Sequence, residues 1–253
     1  MRGCMQTLFV SGASSGIGRE IAVELSNQYN LVLCSRNEDK LKETACLCNK
    51  QSEVRLFPYD LTKVDNLSSD IGNYLAKENI TVQKFVHCAG TARMKHLHMI
   101  TSEDFISMYN VYTVSAAMII KALAGRANKR ELNSVVFISS HNSARAVKGM
   151  SYNHAAKAGL EELGRCLTIE LAPKVRINTV KVGLTKTTWT EEIYENDSLL
   201  QAYDKNYPFG SLTPKDIVGA VDFLLSEKAS KVIGESLIID GGFSIDGSVK
   251  IDV

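Results

Sequence analysis

The chain has 253 residues and a formal net charge of +1 at pH 7. That length suits one α/β domain, and charge that nearly cancels gives no reason to expect a nucleic acid or an anionic membrane surface as partner. No basic stripe interleaved with aromatics is present, no apolar run approaches the length of a bilayer span, and the N-terminus lacks a secretion signal's apolar core and cleavage site. A cytoplasmic protein is therefore expected. Its six cysteines, Cys4, Cys34, Cys46, Cys48, Cys88 and Cys166, should be reduced, and no second pair stands at zinc spacing from Cys46 and Cys48, so no metal is expected.

Short apolar runs alternate with longer stretches of helical spacing. Leu8-Phe9-Val10, Leu31-Val32-Leu33, Phe85-Val86, Val135 to Ile138, Ile177 to Val180 and Leu237-Ile238-Ile239 are rich in β-branched or aromatic residues and show no in–out alternation. They read as strands buried on both faces of a parallel sheet. Between them, Phe105, Met108, Tyr112, Ser115 and Ile119 share one helix face, as do Ala156, Leu160, Leu163 and Leu167. The alternation implies βαβ units: an α/β fold with a doubly wound, mostly parallel sheet, helices on both faces, and residues 1–253 in one domain. Residues 184–212 lack clear periodicity and carry Trp189, Tyr194, Tyr203 and Tyr207. They read either as a loop-and-helix lid near the substrate or as an ordinary packed insertion.

After the first strand comes Ser11-Gly12-Ala13-Ser14-Ser15-Gly16-Ile17-Gly18. Glycines spaced by four and two let the backbone turn tightly and approach a pyrophosphate, and the following helix points free N–H groups and its positive dipole end at that anion. Gly12, Ser14, Ser15, Gly16, Ile17 and Gly18 are thus candidate cofactor ligands. The second strand ends Cys34-Ser35-Arg36-Asn37. An acid at Ser35 would accept from a free ribose 2′-hydroxyl. A serine followed by a guanidinium suits a 2′-phosphate instead, so NADP(H) is expected.

Taken together these segments resemble the short-chain dehydrogenase/reductase family, with Ser11 for the Thr of its Thr-Gly-x-x-x-Gly-x-Gly loop. The resemblance runs along nearly the whole chain and is of the NADP-preferring, 3-oxoacyl-ACP-reductase-like kind. It implies a single-domain Rossmann fold and hydride transfer between nicotinamide and a carbonyl or alcohol. Asp60 and Leu61 resemble the pair that contacts adenine. His87-Cys88-Ala89-Gly90 stands where the family has Asn-Asn-Ala-Gly, so Cys88, Ala89 and Gly90 are expected near the cofactor and His87 is read as a packing or hydrogen-bonding substitute. Arg176-x-Asn178 and Val182-Gly183-Leu184-Thr185-Lys186-Thr187 match Arg-x-Asn and Pro-Gly-x-x-x-Thr, which implies cofactor contacts from Gly183, Thr185 and Thr187. Asp240-Gly241-Gly242 follows in family order. The family's habit of association implies a homodimer or homotetramer.

The catalytic residues depart from the pattern. The family uses a Tyr as general acid/base, a Lys four residues later that tunes it and holds the ribose, a Ser that orients the substrate oxygen, and an Asn on the preceding long helix. Ser140 and Lys157 fit, with Ser139 a weaker candidate because it points the other way on its strand. Asn153, not Tyr, stands four residues before Lys157, and Tyr152 stands five before it. Positions four apart differ by about 40° around a helix and positions five apart by about 140°, so Tyr152 and Lys157 cannot share a face of a regular helix. Tyr112 takes the family's Asn position, so Tyr and Asn have exchanged helices. An asparagine amide has no usable proton near neutral pH. Three readings follow: the phenol has moved to Tyr112; the helix start is irregular and Tyr152 swings in; or the chain binds nucleotide but is catalytically impaired, with a structural or regulatory role.

Overall fold

The computed structural model describes residues 5–91, 94–141 and 146–246. Its strands are β1 (Thr7–Ser11), β2 (Asn30–Ser35), β3 (Val54–Pro58), β4 (Lys84–His87), β5 (Ser134–Ser140), β6 (Arg176–Val182) and β7 (Ser236–Ile239), and they form one parallel sheet in the order β3-β2-β1-β4-β5-β6-β7. Six of these are the apolar runs read from the sequence. The seventh, β3, was not read: it lies at the sheet edge, so its burial alternates, and exposed Arg55 and Pro58 interrupt its apolar character. The order reverses direction between β1 and β4. The carboxyl ends of those two strands therefore open the crevice where ligands bind in such sheets.

Helices cover both faces. On one, α1 (Gly16–Leu25), α2 (Glu38–Leu47) and α9 (Lys215–Leu225) pack over Leu8, Val10, Leu33, Val136 and Val180. On the other, α3 (Leu67–Glu78), α5 (Ser115–Leu123) and α6 (Ser151–Glu170) cover Phe9, Phe85 and Phe137. Phe9 and Phe85 are paired partners on β1 and β4 and meet edge-on with centroids 5.7 Å apart. Helix α4 (Ser102–Tyr109) starts at a capping box between Thr101 and Asp104 and runs through a π turn, Asn110–Val114, into α5. The segment Ser102–Leu123 has the length and mean hydropathy (1.3) of a membrane span, which the sequence reading did not register, but half of it is buried inside the protein. It is the central packing helix, placed against α3 and α6.

The Arg-x-Asn motif has a structural task. Arg176 donates to the carbonyls of Leu224, Ser226 and Ala229, and buried Lys84 donates to Leu225 O at 2.8 Å. Two cations thus satisfy the C-terminal carbonyls and the negative dipole end of α9. Asn178 accepts from Glu235 N and donates to Val232 O, which fixes the approach to β7.

His87 joins the sheet to the central helix. Ser11 Oγ accepts from the amides of Cys88 and Ala89 and lies 2.8 Å from His87 Nδ1. Its own proton therefore goes to Nδ1, and the imidazole proton sits on Nε2, toward the backbone carbonyls of Val111 and Tyr112. Nε2 makes no hydrogen bond of normal geometry, yet those carbonyls favour its proton electrostatically. Burial outweighs them and pushes the His87 pKa down to about 4. Between that value and the unfolded value of about 6.5 the unfolded chain binds a proton that the folded chain does not. Stability is thus fully present above pH ~6.5 and falls as pH drops toward 4, by about 3 kcal/mol at most. Replacing His87 with Asn should flatten the fall in Tm between pH 7 and 4.5, measured by thermal melts; parallel curves for the two proteins would contradict this.

Candidate active site

The phosphate cradle is built by backbone. Gly12 has φ +72°, and a Cβ there would lie 2.7 Å from Ala89 N; a Cβ at Gly18 would lie 2.3 Å from Gly12 O. Only glycine lets the loop lie against β4 and close upon itself. The N-cap of α1, Ser15, makes no side-chain cap bond, so the first amides of the helix, from Gly16, Ile17 and Gly18, stay available to an anion. Ser14 O accepts from Arg19 Nη2 at 2.7 Å, which ties the loop to α1. These groups fit a dinucleotide pyrophosphate. Ser35 ends β2 half-buried, and Arg36 beside it is exposed, with no hydrogen bond or ion pair among the described residues. Asp60 is bound locally by Thr62 through its amide and hydroxyl, and Leu61 is buried.

Across the crevice stand Cys88, Ala89 and Gly90 after β4, and Gly183 and Thr187 after β6. Thr187 touches the space above Gly16: a Cβ on that glycine would lie 3.2 Å from Thr187 Cγ2. Thr185 is buried and its hydroxyl donates to Gly183 O, so it holds its own loop rather than facing the cradle. Residues 184–212 carry two short helices, α7 (Glu191–Tyr194) and α8 (Asp197–Asp204). A cavity of about 300 Å³ lies at its base, lined by Lys186, Thr187, Glu191, Tyr194 and Glu195. Tyr207 from the same segment accepts from Leu184 N.

The catalytic half shows the exchange directly. Helix α6 is regular from Ser151, with His154 N bonded to Met150 O, so the irregular start that would free Tyr152 is absent. Tyr152 is buried with its ring edge-on to Phe105, 6.2 Å between centroids. Tyr112 instead is the phenol that meets Asn153 and Lys157. It lies in the π turn of residues 110–114, packed with Met108, Tyr152 and Ala156, and its hydroxyl donates to Thr91 O at 2.8 Å. Asn153 Nδ2 donates to the same carbonyl at 2.9 Å and to the Tyr112 oxygen at 3.3 Å. Lys157 Nζ stands 5.4 Å from the Tyr112 ring centroid. Gly90 makes this possible, since a Cβ there would lie 2.5 Å from Tyr112 Cε1. Ser140 closes β5 half-exposed, whereas Ser139 is buried and donates to Glu161 Oε1 at 2.6 Å, as strand alternation requires.

Electrostatics follow from enclosure. Burial pushes the Tyr112 phenol up to about 12, with the bond donated by Asn153 acting the other way. Burial lowers Lys157 to about 8, opposed by the charge of Glu161, and by Cys88 only as a thiolate. Cys88 is itself pushed up to about 12 by burial, so its thiol is neutral. The sequence reading missed the Thr91 carbonyl, the reason for Gly90, and the pairing of Glu161 with Lys181 at 3.1 Å. The first two depend on where a π turn falls, and the third joins elements that no local spacing relates.

A family model described as enoyl-(acyl carrier protein) reductase matches residues 12–244. The chain is 29% identical to the 3-oxoacyl-[acyl-carrier-protein] reductase of Chlamydia trachomatis over 94% of this chain and 97% of that protein. Among solved structures, 4-hydroxyisoleucine dehydrogenase complexed with NADH and succinate superposes with a TM-score of 0.88, at 21% identity over 96% of this chain and 100% of that one. YwfH, an NADPH-dependent reductase, superposes with a TM-score of 0.86, at 21% identity over 97% of this chain and 100% of that one. At these identities the two structures speak for the fold alone. With the glycine cradle at the switch point and a family match over most of its length, the chain belongs to the short-chain dehydrogenase/reductase family of nicotinamide-dependent oxidoreductases that act on CH–OH and C=O groups.

Proposed function

We propose that this protein is an NADP(H)-dependent carbonyl reductase in which Tyr112 is the proton donor. The observation that carries this reading is the seat of the Tyr112 phenol, hydrogen-bonded by Asn153 and flanked by Lys157. Bound NADPH would supply the hydride. Ser140 would donate to the substrate oxygen. Tyr112 would hand its proton to the alkoxide, turning its O–H from Thr91 O to the substrate. Asn153 Nδ2, already donating to the phenol oxygen, would stabilise the charge left there. A phenol at about 12 is protonated throughout the physiological range, which suits reduction; oxidation would need a phenolate that burial disfavours. The preference for NADPH is supported by the missing acid at Ser35 and by the unpaired, exposed Arg36.

The hydroxyl of Tyr112 already bonded to Thr91 O favours a second reading, a nucleotide-binding member with impaired catalysis. Self-association is the proposed assembly state. Phe105, Ile106 and Tyr109 leave α4 exposed, and Leu237 and Ile238 are exposed on edge strand β7. Light scattering should then return twice or four times the chain mass.

Turnover of a carbonyl panel with NADPH separates the two readings. Tyr112→Phe should lower kcat/KM by about 10²–10⁴-fold, while Tyr152→Phe stays within a few-fold. Tight NADPH binding by wild type with no carbonyl reduced would give the second reading the lead. Arg36→Ala should raise the Kd for NADPH by about 10–100-fold and leave NADH unchanged; equal effects on both cofactors would remove the specificity argument. Wild-type reduction should be level below pH ~7 and fall as Lys157 loses its proton near 8. Gly90→Ala should lower Tm and activity by displacing Tyr112, and Tyr112→Asn in that background should restore Tm. A Tm that stays low in the double variant would show that Gly90 serves some other contact.

A further inference from the structure

The buried polar groups that this reaction leaves unused gather beneath Lys157. Ser139 on β5, Glu161 on α6 and Lys181 on β6 meet there. Ser139 Oγ lies 2.6 Å from Glu161 Oε1, Lys181 Nζ lies 3.1 Å from Glu161 Oε2, and the Lys181 and Glu161 side chains are only 10% and 13% exposed. A buried ion pair is a poor device for stability, since two apolar side chains would fill the same space without the desolvation cost. Its placement suggests another task. Glu161 follows Lys157 by one turn of α6, on the same helix face. Lys157 is also met by Cys88 from the end of β4 and by the Tyr112 ring from the π turn. The thiol is neutral, its pKa pushed up to about 12, and the ring carries no net charge. Among the described residues, Glu161 is the carboxylate that acts on this half-buried ammonium.

We propose that Glu161 is a positioning residue of the active site: clamped by Ser139 and Lys181, its carboxylate is held at a fixed place one turn from Lys157 and keeps that lysine charged. The proposal rests on Lys157 being the working cation of the site. Lys181 has two effects in this arrangement. It fixes the carboxylate in place, and it offsets part of the carboxylate's charge, which sets how strongly Glu161 acts on Lys157. Glu161 touches no reacting atom and acts only through Lys157.

The test is an NMR titration of the full chain with isotopically labelled lysines, the Lys157 signal being assigned by its loss in Lys157→Arg. Glu161→Gln should lower the Lys157 midpoint by about one to two pH units, and Glu161→Asp should restore most of the shift. Lys181→Met leaves the carboxylate unopposed and should move the midpoint up. A folded Glu161→Gln protein whose Lys157 titrates within about 0.3 units of wild type overturns the proposal, as does an upward shift. If Glu161→Gln does not fold, Glu161→Leu combined with Lys181→Met fills the space with apolar groups, and it too should lower the midpoint; an unchanged midpoint overturns the proposal. The pH profile of NADPH binding should move with the midpoint. Neither readout uses turnover, so failure of Tyr112 as proton donor would leave this result intact.

Discussion

The absence of a side chain at Gly90 opens the space that the Tyr112 ring fills, and the proposed chemistry of the site rests on that contact. With a Cβ at 2.5 Å from the ring, the phenol could not reach Thr91 O or Asn153. The π turn of residues 110–114 supplies the complementary change. The wider turn carries Tyr112, which packs with Met108, Tyr152 and Ala156, and the following helix then resumes against the sheet with Ile119 and Leu123 buried. Strand β4 ends directly below, where His87 spans Ser11 and the carbonyls of that turn. The nucleotide loop and the strand end are therefore joined through Ser11 and His87, and the strand end meets the central helix where Gly90 faces Tyr112.

Enclosure sets the proton chemistry. The same burial that keeps the Tyr112 proton in place up to about pH 12 makes the Lys157 ammonium expensive and pulls its pKa to about 8. These two effects act in opposite senses on an acid and on a cation. A reductase needs the first and must counter the second. In our proposal a carboxylate one turn away, itself anchored by a serine and a lysine, counters it.

The cofactor half of the site was legible in the sequence because its chemistry is done by backbone. Gly12, Gly16 and Gly18 have to be glycines where they are, and a reader can infer the turn from them. The exchange of Tyr and Asn was legible as well, since a spacing of five instead of four rules out a shared helix face for Tyr152 and Lys157, and α6 is indeed regular there. Which phenol reaches the site was not legible. That depends on a π turn at residues 110–114, and Asn110 to Val114 carry no residue that demands one. Strand β3 was hidden by its edge position, where Arg55 and Pro58 are tolerated. The roles of Arg176 and Lys84 at the end of α9, and of Lys181 against Glu161, join residues far apart in the chain whose meeting only the sheet order reveals.

The claim that the proton donor has changed helices is tested most directly by putting the pair back. In the double variant Tyr112→Asn with Asn153→Tyr, the phenol again stands four residues before Lys157. If Tyr112 is the donor of the present enzyme, carbonyl reduction by the double variant should return to within about tenfold of wild type, while Tyr112→Asn alone loses about 10²-fold or more. Full activity in Tyr112→Asn alone, with Asn153 still in place, would contradict the account.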